Sequence, residues 1–573
     1  MTLHARFPIL LSLLAASTLA AQSSAPATSD GNGRPALVGT TEPMAEHAVY
    51  FVMTDRFVNG DPSNDHRDQG LPDHGTWGGP VPGAPPGQED FVGYLGGDFR
   101  GLLDNAGYIR DMGFGALWLT PIVEQPDEAF SGGKPAAWGK MFTDGGKSGY
   151  HGYWATNFYE IDEHLPSEGL DFRALTAGLR ARGLKTVLDV VANHGSPSFT
   201  AREQRDSFGK LFNEVGELVA DHQNLPPRRL KPATNPLHAF YRTEPDIAEL
   251  SNLDERNPAV VDYLVGSSLK WLGQGADALR LDTIKHMPLP FWKTYADRLR
   301  AEHPGLFMFG EAFTYDAEVL GAFTQPENGA ISVLDFPLQE AMGEAFGKAQ
   351  AGFETVVPAL YLDGGPFANP YALMTFYDNH DMPRLDADDA GFINANHFLF
   401  TARGIPVVYQ GSEIGFMRGT AEHAGNRNYF GQARIDAAPS SPIHQALKRI
   451  ATLRANTPAL QRGLQVNVLF EGERAAFYRV LEHEGVAQTA LVLLNKGGTP
   501  ARFRIEELAQ PGRWREALGG GTRILAAGEA FEAEVPANGV QVHLFEQPIT
   551  APRLRAAAEA AAVAHARPGD PPR

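Results

Sequence analysis

The sequence contains no cysteine among its 573 residues. This absence excludes a disulfide framework, a cysteine-ligated metal centre and a lipidated N-terminal cysteine. Basic residues are also in the minority, since 49 Lys and Arg face 68 Asp and Glu, for a net charge of −19. Nucleic acids and anionic membranes bind basic surfaces, so we expect neither as a partner. The fold must instead be stabilised by its hydrophobic core, with hard metal ions as a further possibility.

Long apolar runs are absent except at the N-terminus. Met1–Ala21 combines a short basic start with an apolar stretch and small residues near its end. This pattern is typical of a secretory signal peptide cleaved near Ala20 or Ala21, and the run is too short for an ordinary spanning helix. We therefore expect an exported protein, either periplasmic or extracellular. Residues 22–45 are rich in Ser, Ala, Thr and Gly and are predicted to form a flexible lead-in.

Short apolar segments alternate with helical patterns over most of the chain. This alternation predicts parallel βαβ units, and eight of them predict an α/β fold, the (β/α)8 TIM barrel, over residues 46–194 and 253–462. Residues 195–252 lack clear periodicity and are predicted to form a loop-rich inserted subdomain after the third strand. The eight predicted strands are Ala48–Met53, Gly115–Thr120, Lys185–Val191, Ala276–Leu281, Leu306–Glu311, Ile331–Phe336, Leu373–Asp378 and Ile405–Gln410.

The pattern changes near Gly463, where short alternating strands follow one another without helices. Residues 463–547 are therefore predicted to form a separate antiparallel β-sandwich domain. The last segment, residues 548–573, is rich in Ala, Arg and Pro and is predicted to be a disordered tail, with a fraying helix as the alternative.

The predicted strand ends carry the polar residues that would line the active-site face of a barrel. Arg280 and Asp282 lie two residues apart on one strand and so point the same way. A carboxylate beside a guanidinium stays ionised, which suits a nucleophile, although a structural ion pair would have the same pattern. Glu311 follows the apolar run LFMFG, where desolvation would raise its pKa and suit a general acid. Two carboxyl groups in such different environments are what glycoside hydrolysis requires.

Four motifs carry a resemblance to a known family. DVVANH (Asp189–His194), GADALRLDTIKH (Gly275–His286), FGEA (Phe309–Ala312) and FYDNHD (Phe376–Asp381) resemble the signature regions of the α-amylase family of glycoside hydrolases. They occur in the family's order and with its usual separations, and YHGYW (Tyr150–Trp154) and TDRF (Thr54–Phe57) are similar to two further regions. The resemblance covers about Val49 to Leu460, and the local flavour is that of α-amylases and cyclodextrin glucanotransferases.

The resemblance implies a role for each matching residue. Asp282 would be the nucleophile that forms a β-glycosyl-enzyme, Glu311 the general acid and then base, and Asp381 the carboxylate that holds sugar hydroxyls. The implied substrate-binding residues are His151, Tyr153, Trp154, His194, Arg280, Lys285, His286, His380 and Arg427. A non-catalytic sugar-binding barrel is a remote alternative that would lack the carboxylates, whereas all three are present here.

A loop dense in oxygen side chains predicts a calcium site. Asn59, Asp61, Asn64 and Asp65 lie close together in the sequence and are followed later by Gly96 and Asp98. Ca²⁺ takes six to eight oxygen ligands, although a turn without metal would also be rich in Asn and Asp. The cluster is similar to one calcium site of cyclodextrin glucanotransferases.

The family also implies a second calcium site between barrel and insertion. Its ligands would be Asn193, the carbonyl of His286 and a residue in the last strand of the insertion. That residue is Asn252 here, in LSNL, where LADL is common, so one negative charge is lost.

Two departures from the transferases favour a hydrolase. The chain shows one β domain after the barrel, whereas those enzymes carry extra domains and a starch-binding module. In addition, Ala248 stands where those enzymes place a central Tyr or Phe, around which a long glucan curls. We predict a retaining α-1,4-glucan hydrolase, an α-amylase, acting as a monomer on starch and maltooligosaccharides. Transglycosylation of the cyclodextrin glucanotransferase type, with cyclodextrins among the ligands, is the alternative.

Overall fold

The computed structural model describes residues 36–66, 75–86, 90–141, 143–202 and 207–564. The predicted signal peptide lies outside these residues. Eight short parallel strands form the central sheet, and each falls within one of the eight predicted segments. They are β1 (Val49–Val52), β2 (Ala116–Leu119), β3 (Lys185–Val190), β4 (Ala278–Leu281), β5 (Phe307–Gly310), β6 (Ser332–Val333), β7 (Met374–Thr375) and β8 (Ile405–Tyr409).

The sheet closes into a barrel. Its strand order runs β6-β5-β4-β3-β2-β1-β8-β7, and a parallel bridge between Leu334 and Met374 joins the two outer strands. The amide of Asp335 donates to the carbonyl of Met374 at 2.9 Å across this junction. Strands β1, β2, β4 and β5 are buried along their whole length, which explains why β1, β2 and β5 are continuous apolar runs rather than alternating ones. The exception is Arg280 in β4, which belongs to the site described below. The predicted TIM barrel is confirmed.

Helices surround the barrel and begin at side-chain caps in several cases. Asp171, Asn257 and Asp388 each accept a hydrogen bond from a backbone amide of the first turn that follows them. The helices are α1 (Phe99–Asp104), α2 (Ala106–Asp111), α3 (Phe172–Ala181), α4 (Pro258–Gly273), α5 (Leu289–Glu302), α6 (Ala317–Thr324), α7 (Phe336–Phe346), α8 (Asp389–Thr401), α9 (Gln432–Ala437), α10 (Pro442–Ala455), α11 (Pro458–Arg462) and α12 (Pro552–Val563). No helix within the described ranges is both long and apolar enough to cross a membrane.

The insertion after β3 contains two short antiparallel pairs rather than long elements. His194–Pro197 pairs with Leu250–Asn252, and Lys210–Phe212 pairs with Leu218–Asp221. The first pair joins the beginning of the insertion to its end beside the barrel. A further antiparallel pair, Val123–Glu124 with Asn157–Ile161, lies within the long connection between β2 and β3.

The C-terminal region is an antiparallel β domain, as predicted. Its strands form a six-stranded sheet and a two-stranded sheet, and the latter pairs Ala501–Ile505 with Phe531–Val535. The eight observed strands are β9 (Leu464–Glu471), β10 (Arg474–His483), β11 (Val486–Asn495), β12 (Ala501–Ile505), β13 (Gly512–Glu516), β14 (Thr522–Leu525), β15 (Phe531–Val535) and β16 (Gly539–Phe545).

Two predictions about the ends of the chain need correction where the structure describes them. Part of the predicted flexible lead-in is packed, because Leu37 is fully buried and exchanges two backbone hydrogen bonds with Glu482 of β10. The predicted disordered tail contains helix α12, since Leu554 and Ala558 lie on one helical face and are fully buried against the β domain. Composition alone indicated neither contact.

Candidate active site

The backbone ladder fixes the two central carboxylates at the carboxyl ends of β4 and β5. The amide of Asp282 donates to the carbonyl of Val190 at 2.9 Å, and the amide of Glu311 donates to the carbonyl of Leu281 at 2.9 Å. Immediately after Asp282 the chain turns through Thr283, which has the left-handed angles φ 49° and ψ 39°. A non-glycine residue rarely adopts this conformation, and such positions concentrate at functional sites.

Arg280 is the cation around which the carboxylates gather. Its Nη1 lies 2.8 Å from Oδ1 of Asp189 and 2.7 Å from Oδ1 of Asp282, while its Nη2 lies 3.1 Å from Oε2 of Glu311. The arginine side chain is fully buried, so the three carboxylates compensate a charge that water does not reach. One guanidinium therefore holds Asp282 and Glu311 in a fixed relation to each other.

Asp189 stabilises the site by fixing the side chains around it. Its Oδ2 accepts hydrogen bonds from Nε1 of Trp118 at 3.1 Å and from the hydroxyl of Tyr153 at 2.9 Å. Burial raises the pKa of Asp189 to about 7, against the opposing effect of Arg280. The ring of Tyr153 also stacks on His380 with 5.5 Å between ring centroids. Asp189 thus fixes the aromatic floor of the cavity and the arginine together.

Glu311 has the environment expected of a proton donor. Its pKa is raised to about 8, mainly by burial and also by the neighbouring carboxylates of Asp381 and Asp282, against the opposing effect of Arg280. Its Oε1 is buried and has no hydrogen-bond partner among the described residues. An oxygen left unpaired by the protein is available for a hydrogen bond to a ligand.

Asp381 has the opposite environment. Burial favours its neutral form, but positive neighbours outweigh this effect and lower its pKa. Nη2 of Arg427 lies 2.6 Å from Oδ1 of Asp381, and Nε2 of His380 lies 3.3 Å from Oδ2. Burial lowers the pKa of His380 to about 3, so the imidazole is neutral at neutral pH and Arg427 is the effective counter-charge. The same cavity therefore holds one carboxyl group that favours its proton and one that stays ionised.

The three carboxylates predicted to be catalytic line one cavity of about 330 Å³. Arg280 and His380 do not line this cavity themselves, but they contact Asp282 and Asp381, which do. The other predicted substrate-binding residues line it directly, namely His151, Tyr153, Trp154, His194, Lys285, His286 and Arg427. Burial also lowers the pKa of His194, so this imidazole is neutral and able to both donate and accept hydrogen bonds.

Sequence reasoning missed a buried ion-pair chain on one wall of the cavity. Nζ of Lys147 lies 2.6 Å from Oε1 of Glu422 and 2.9 Å from Oδ1 of Asp144, and Glu422 in turn lies 2.8 Å from Nη1 of Arg427. Lys147 and Glu422 come from two Gly-rich loops 275 residues apart. Neither residue has a local signal in the sequence, because only the fold brings these loops together.

The cavity is also lined by the two residues that the resemblance assigns to the acceptor side. Nζ of Lys285 donates to the carbonyl of Phe313 at 2.7 Å, and Nδ1 of His286 lies 2.8 Å from Oδ1 of Asp246 in the insertion. Both side chains are therefore held in place by neighbouring groups.

The Asn59–Asp65 loop fits a calcium ion. Oδ1 of Asn59 and Oδ1 of Asn64 are buried and have no hydrogen-bond partner within the described part of the chain. The carboxylate of Asp65 lies beside them and accepts from Nδ2 of Asn59 at 2.8 Å. Gly96 adopts φ +89°, and a Cβ there would lie 2.3 Å from Nδ2 of Asn59 and 2.7 Å from Oδ1 of Asp65. Unpaired oxygens in a space that only glycine leaves open are the ligands that Ca²⁺ prefers.

The other two predicted ligands in this loop site are Asp98 and Asp61, and both accept hydrogen bonds from the loop itself. Asp98 accepts hydrogen bonds from the amides of Gly60, Asp61 and Gly101, and so caps helix α1 while closing the loop. The Oδ1 of Asp61 accepts from the side chain of Ser63 at 2.6 Å.

The second predicted calcium site does not fit a metal. The carbonyl of His286, its predicted ligand, accepts a hydrogen bond from Nη1 of Arg242 at 3.0 Å. Oδ1 of Asn252 accepts from Nδ2 of Asn193 at 3.2 Å. Of the three predicted ligands, two already accept hydrogen bonds from protein groups, and a cationic side chain stands at one of them. Only Oδ1 of Asn193 is buried without a partner among the described residues, and one neutral amide oxygen does not make a site for a divalent ion. Sequence reasoning considered Asn252 but not Arg242, which lies elsewhere in the insertion.

A closed eight-stranded barrel with paired carboxylates at its strand ends defines a class of sugar-processing enzymes. The family described as "Alpha amylase, catalytic domain" matches residues 51–440, more than half of the chain. The chain therefore belongs to the α-amylase family of glycoside hydrolases and transglycosylases, which confirms the predicted resemblance.

Similar proteins include both hydrolases and transferases. A β/α-amylase of Paenibacillus polymyxa is 29% identical over 74% of this chain and 31% of its own length. A cyclomaltodextrin glucanotransferase of Thermoanaerobacterium thermosulfurigenes is 28% identical over 72% of this chain and 55% of its own. The chain thus spans about a third to about half of these two relatives.

Two further matches cover most of this chain and most of the matched protein. An α-amylase of Niallia circulans is 27% identical over 80% of this chain and 81% of its own length. A crystal structure of a cyclomaltodextrin glucanotransferase with a three-domain ABC distribution is 28% identical, covers 87% of this chain and 99% of its own, and has a TM-score of 0.69.

Proposed function

We propose that the protein is a retaining α-1,4-glucan hydrolase, an α-amylase, that acts on starch and maltooligosaccharides. The observation that supports this most directly is the contrast between Glu311 and Asp381 in one cavity, where burial raises the pKa of the first to about 8 and positive neighbours lower that of the second. Such a contrast supplies a proton donor and an ionised group side by side at neutral pH. The proposed substrate follows from the family and from the relatives' names.

In the first step, an oxygen of Asp282 attacks the anomeric carbon of the sugar. Glu311 gives its proton to the glycosidic oxygen, so the leaving sugar departs as a neutral alcohol and Asp282 is esterified. In the second step, Glu311 takes a proton from water, the water attacks the same carbon, and the carboxylate of Asp282 is released. Arg280 holds both groups through its two terminal nitrogens in this scheme.

The other cavity residues would bind the sugar that is cleaved. Asp381, His194 and the neutral His380 present acceptors and donors for its hydroxyl groups, and Tyr153 offers an aromatic face. Nδ1 of His194 and both ring nitrogens of His380 are buried without a hydrogen-bond partner among the described residues, which is consistent with this role. The low pKa of Asp381 keeps its carboxylate ionised beside the positive charge that develops on the sugar ring.

The preference for hydrolysis depends on Ala248. This residue of the insertion lines the cavity, where it presents only a methyl group. The single β domain after the barrel does not favour a hydrolase, because a solved cyclomaltodextrin glucanotransferase has a three-domain distribution and matches this chain over 87% of its length. Domain number therefore does not separate hydrolases from transferases here. Transglycosylation remains the second candidate function because several relatives are transferases by name.

The Asn59–Asp65 loop is proposed to hold Ca²⁺ through Asn59, Asn64 and Asp65, with the carbonyl of Gly96 as a further ligand. The buried, unpaired oxygens of Asn59 and Asn64 support this proposal. The ion would stabilise the connection that follows β1. We also propose export of the protein to the periplasm or the medium and a monomeric state.

A time course of products from soluble starch and maltoheptaose tests the proposal. We expect linear maltooligosaccharides with new reducing ends from the first time points. Cyclodextrins as the main early product would overturn the hydrolase assignment, and sugar binding without any new reducing end would overturn the enzyme assignment. Ala248→Tyr is the matched variant, and it should raise the share of transfer products while total cleavage persists.

A further inference from the structure

Arg242 connects the insertion to the barrel at the point where the family places a metal ion. The guanidinium reaches the barrel through Nη1, which donates to the carbonyl of His286 at 3.0 Å. Within the insertion its Nε donates to Oε2 of Glu255 at 2.9 Å, and its Nη1 lies 3.3 Å from Oδ2 of Asp246. The side chain is 13% exposed, so these contacts are largely shielded from water.

The groups around this guanidinium resemble a cation site in their chemistry. Two carboxylates and one main-chain carbonyl converge on it, and all three are oxygen acceptors that a hard cation would also use. A planar guanidinium satisfies several such acceptors at once and keeps its charge at any relevant pH. A metal ion bound to the same carbonyl would be a second positive charge beside the first.

The remaining predicted metal ligands are two asparagines joined by one hydrogen bond, and Oδ1 of Asn193 is the one oxygen of this pair that is buried without a partner among the described residues. Nδ2 of Asn193 donates to Oδ1 of Asn252, whose own Nδ2 donates to the carbonyl of Leu250 at 3.1 Å. Neither asparagine brings a negative charge. The junction therefore offers two neutral amide side chains where a metal ion prefers anionic oxygens. The carboxylates nearby, Asp246 and Glu255, are paired with Arg242 instead.

We propose that Arg242 is the cation of the barrel–insertion junction, in place of a metal ion, and that it positions His286 on the wall of the active-site cavity. His286 is tied to this cluster twice. Its carbonyl accepts from Arg242, and its ring nitrogen Nδ1 lies 2.8 Å from Oδ1 of Asp246, the carboxylate that also contacts Arg242. Arg242 acts on the cavity only through His286 and is a positioning residue.

The metal part of this proposal is tested by thermal unfolding of the full chain against calcium concentration. Asp65→Ala removes a carboxylate of the Asn59–Asp65 loop, so any calcium response that remains reports on the junction. We expect the melting temperature of Asp65→Ala to be the same with calcium and with a chelator. A calcium-dependent rise that persists in Asp65→Ala and disappears in Asp65→Ala/Asn193→Ala would overturn the proposal.

Substitutions at Arg242 give the complementary result. Arg242→Met, made in the Asp65→Ala chain, should lower the melting temperature, and calcium should not restore it. Adding Asn252→Asp to an Asp65→Ala chain in which Arg242→Ser frees the carbonyl of His286 should create a calcium-dependent rise in melting temperature. If this last variant gains no response to calcium, the charge of Arg242 is not what excludes the metal and the proposal fails.

The positioning part rests on the proposed function and has its own readout. With maltose as acceptor, Arg242→Met should lower the ratio of transfer to hydrolysis several-fold and raise KM for the acceptor, while kcat for hydrolysis changes little. Arg242→Lys, which keeps the charge but loses the planar fork, should lie between. An unchanged ratio in Arg242→Met would overturn the positioning role. A wild-type chain inactive on every α-glucan would overturn the proposed function and leave the calcium results standing.

Discussion

Nη1 of Arg280 lies 2.7 Å from Oδ1 of Asp282, and both side chains are buried at the end of the same strand. The arginine holds this carboxylate at a fixed angle to the cavity and also contacts Glu311. A buried arginine with three carboxylate partners is a positioning device as well as a counter-charge.

The nucleophile assignment predicts the behaviour of Asp282→Asn. The amide is nearly isosteric and can still contact Arg280, so the fold should be kept, but it cannot form the ester with the sugar. We expect kcat on maltoheptaose to fall by about 10,000-fold or more, while maltoheptaose still binds in calorimetry. Retention of a tenth of the wild-type rate would contradict the assignment.

The pKa of Glu311 predicts the alkaline limit of activity. Its folded-state pKa is raised to about 8 by burial, and the acid is active only when protonated. The value of kcat/KM should therefore fall as the pH rises through about 8, and the acid form should be fully populated below pH 6. Asp381, whose pKa is lowered, should stay ionised well into the acid range.

A pH profile of kcat/KM measures this directly. Glu311→Gln serves as the control, because it should lose about 100- to 10,000-fold in rate and also lose the alkaline limb. An alkaline limb that is unchanged in Glu311→Gln would assign the titration to another group.

The sequence predicted the parts of this molecule that are local along the chain. The eight barrel strands are short and mostly apolar, and Asp282 and Glu311 directly follow β4 and β5, whereas Asp381 lies six residues after the end of β7. Their convergence follows from the barrel topology. Lys147, Glu422 and Arg242 were not predicted because their roles depend on partners in distant loops. A helix in the tail was only the alternative prediction, because the stability of α12 comes from packing of Leu554 against the β domain rather than from composition.

The calcium loop predicts a limited response to chelation. Removal of the ion should leave the oxygens of Asn59 and Asn64 buried without a partner, which destabilises the loop after β1. We expect a chelator to lower the melting temperature of the wild-type chain and to have no effect on Asn59→Ala/Asp65→Ala. An identical drop in the double variant would place the responsible ion elsewhere.

The ion-pair chain beside Asp381 predicts coupling between Lys147 and Glu422. Nζ of Lys147 lies 2.6 Å from Oε1 of Glu422, and both side chains are about 3% exposed. Removing one partner of a buried pair leaves an uncompensated charge and typically costs about 3–5 kcal/mol. Lys147→Met and Glu422→Gln should each lower the free energy of unfolding by an amount of this order.

The double variant Lys147→Met/Glu422→Gln should lose less stability than the two single losses added together, because it removes both charges of the pair. Urea unfolding of the four proteins measures the coupling energy. Glu422→Gln should also lower kcat, since Glu422 holds Nη1 of Arg427 at 2.8 Å while Nη2 of the same arginine contacts Asp381 at 2.6 Å. Lys147→Met leaves that contact in place and is the matched control for kcat. Additive losses of stability would contradict the coupling of Lys147 with Glu422. An equal fall of kcat in both single variants would show that the chain does not act on Asp381 through Arg427.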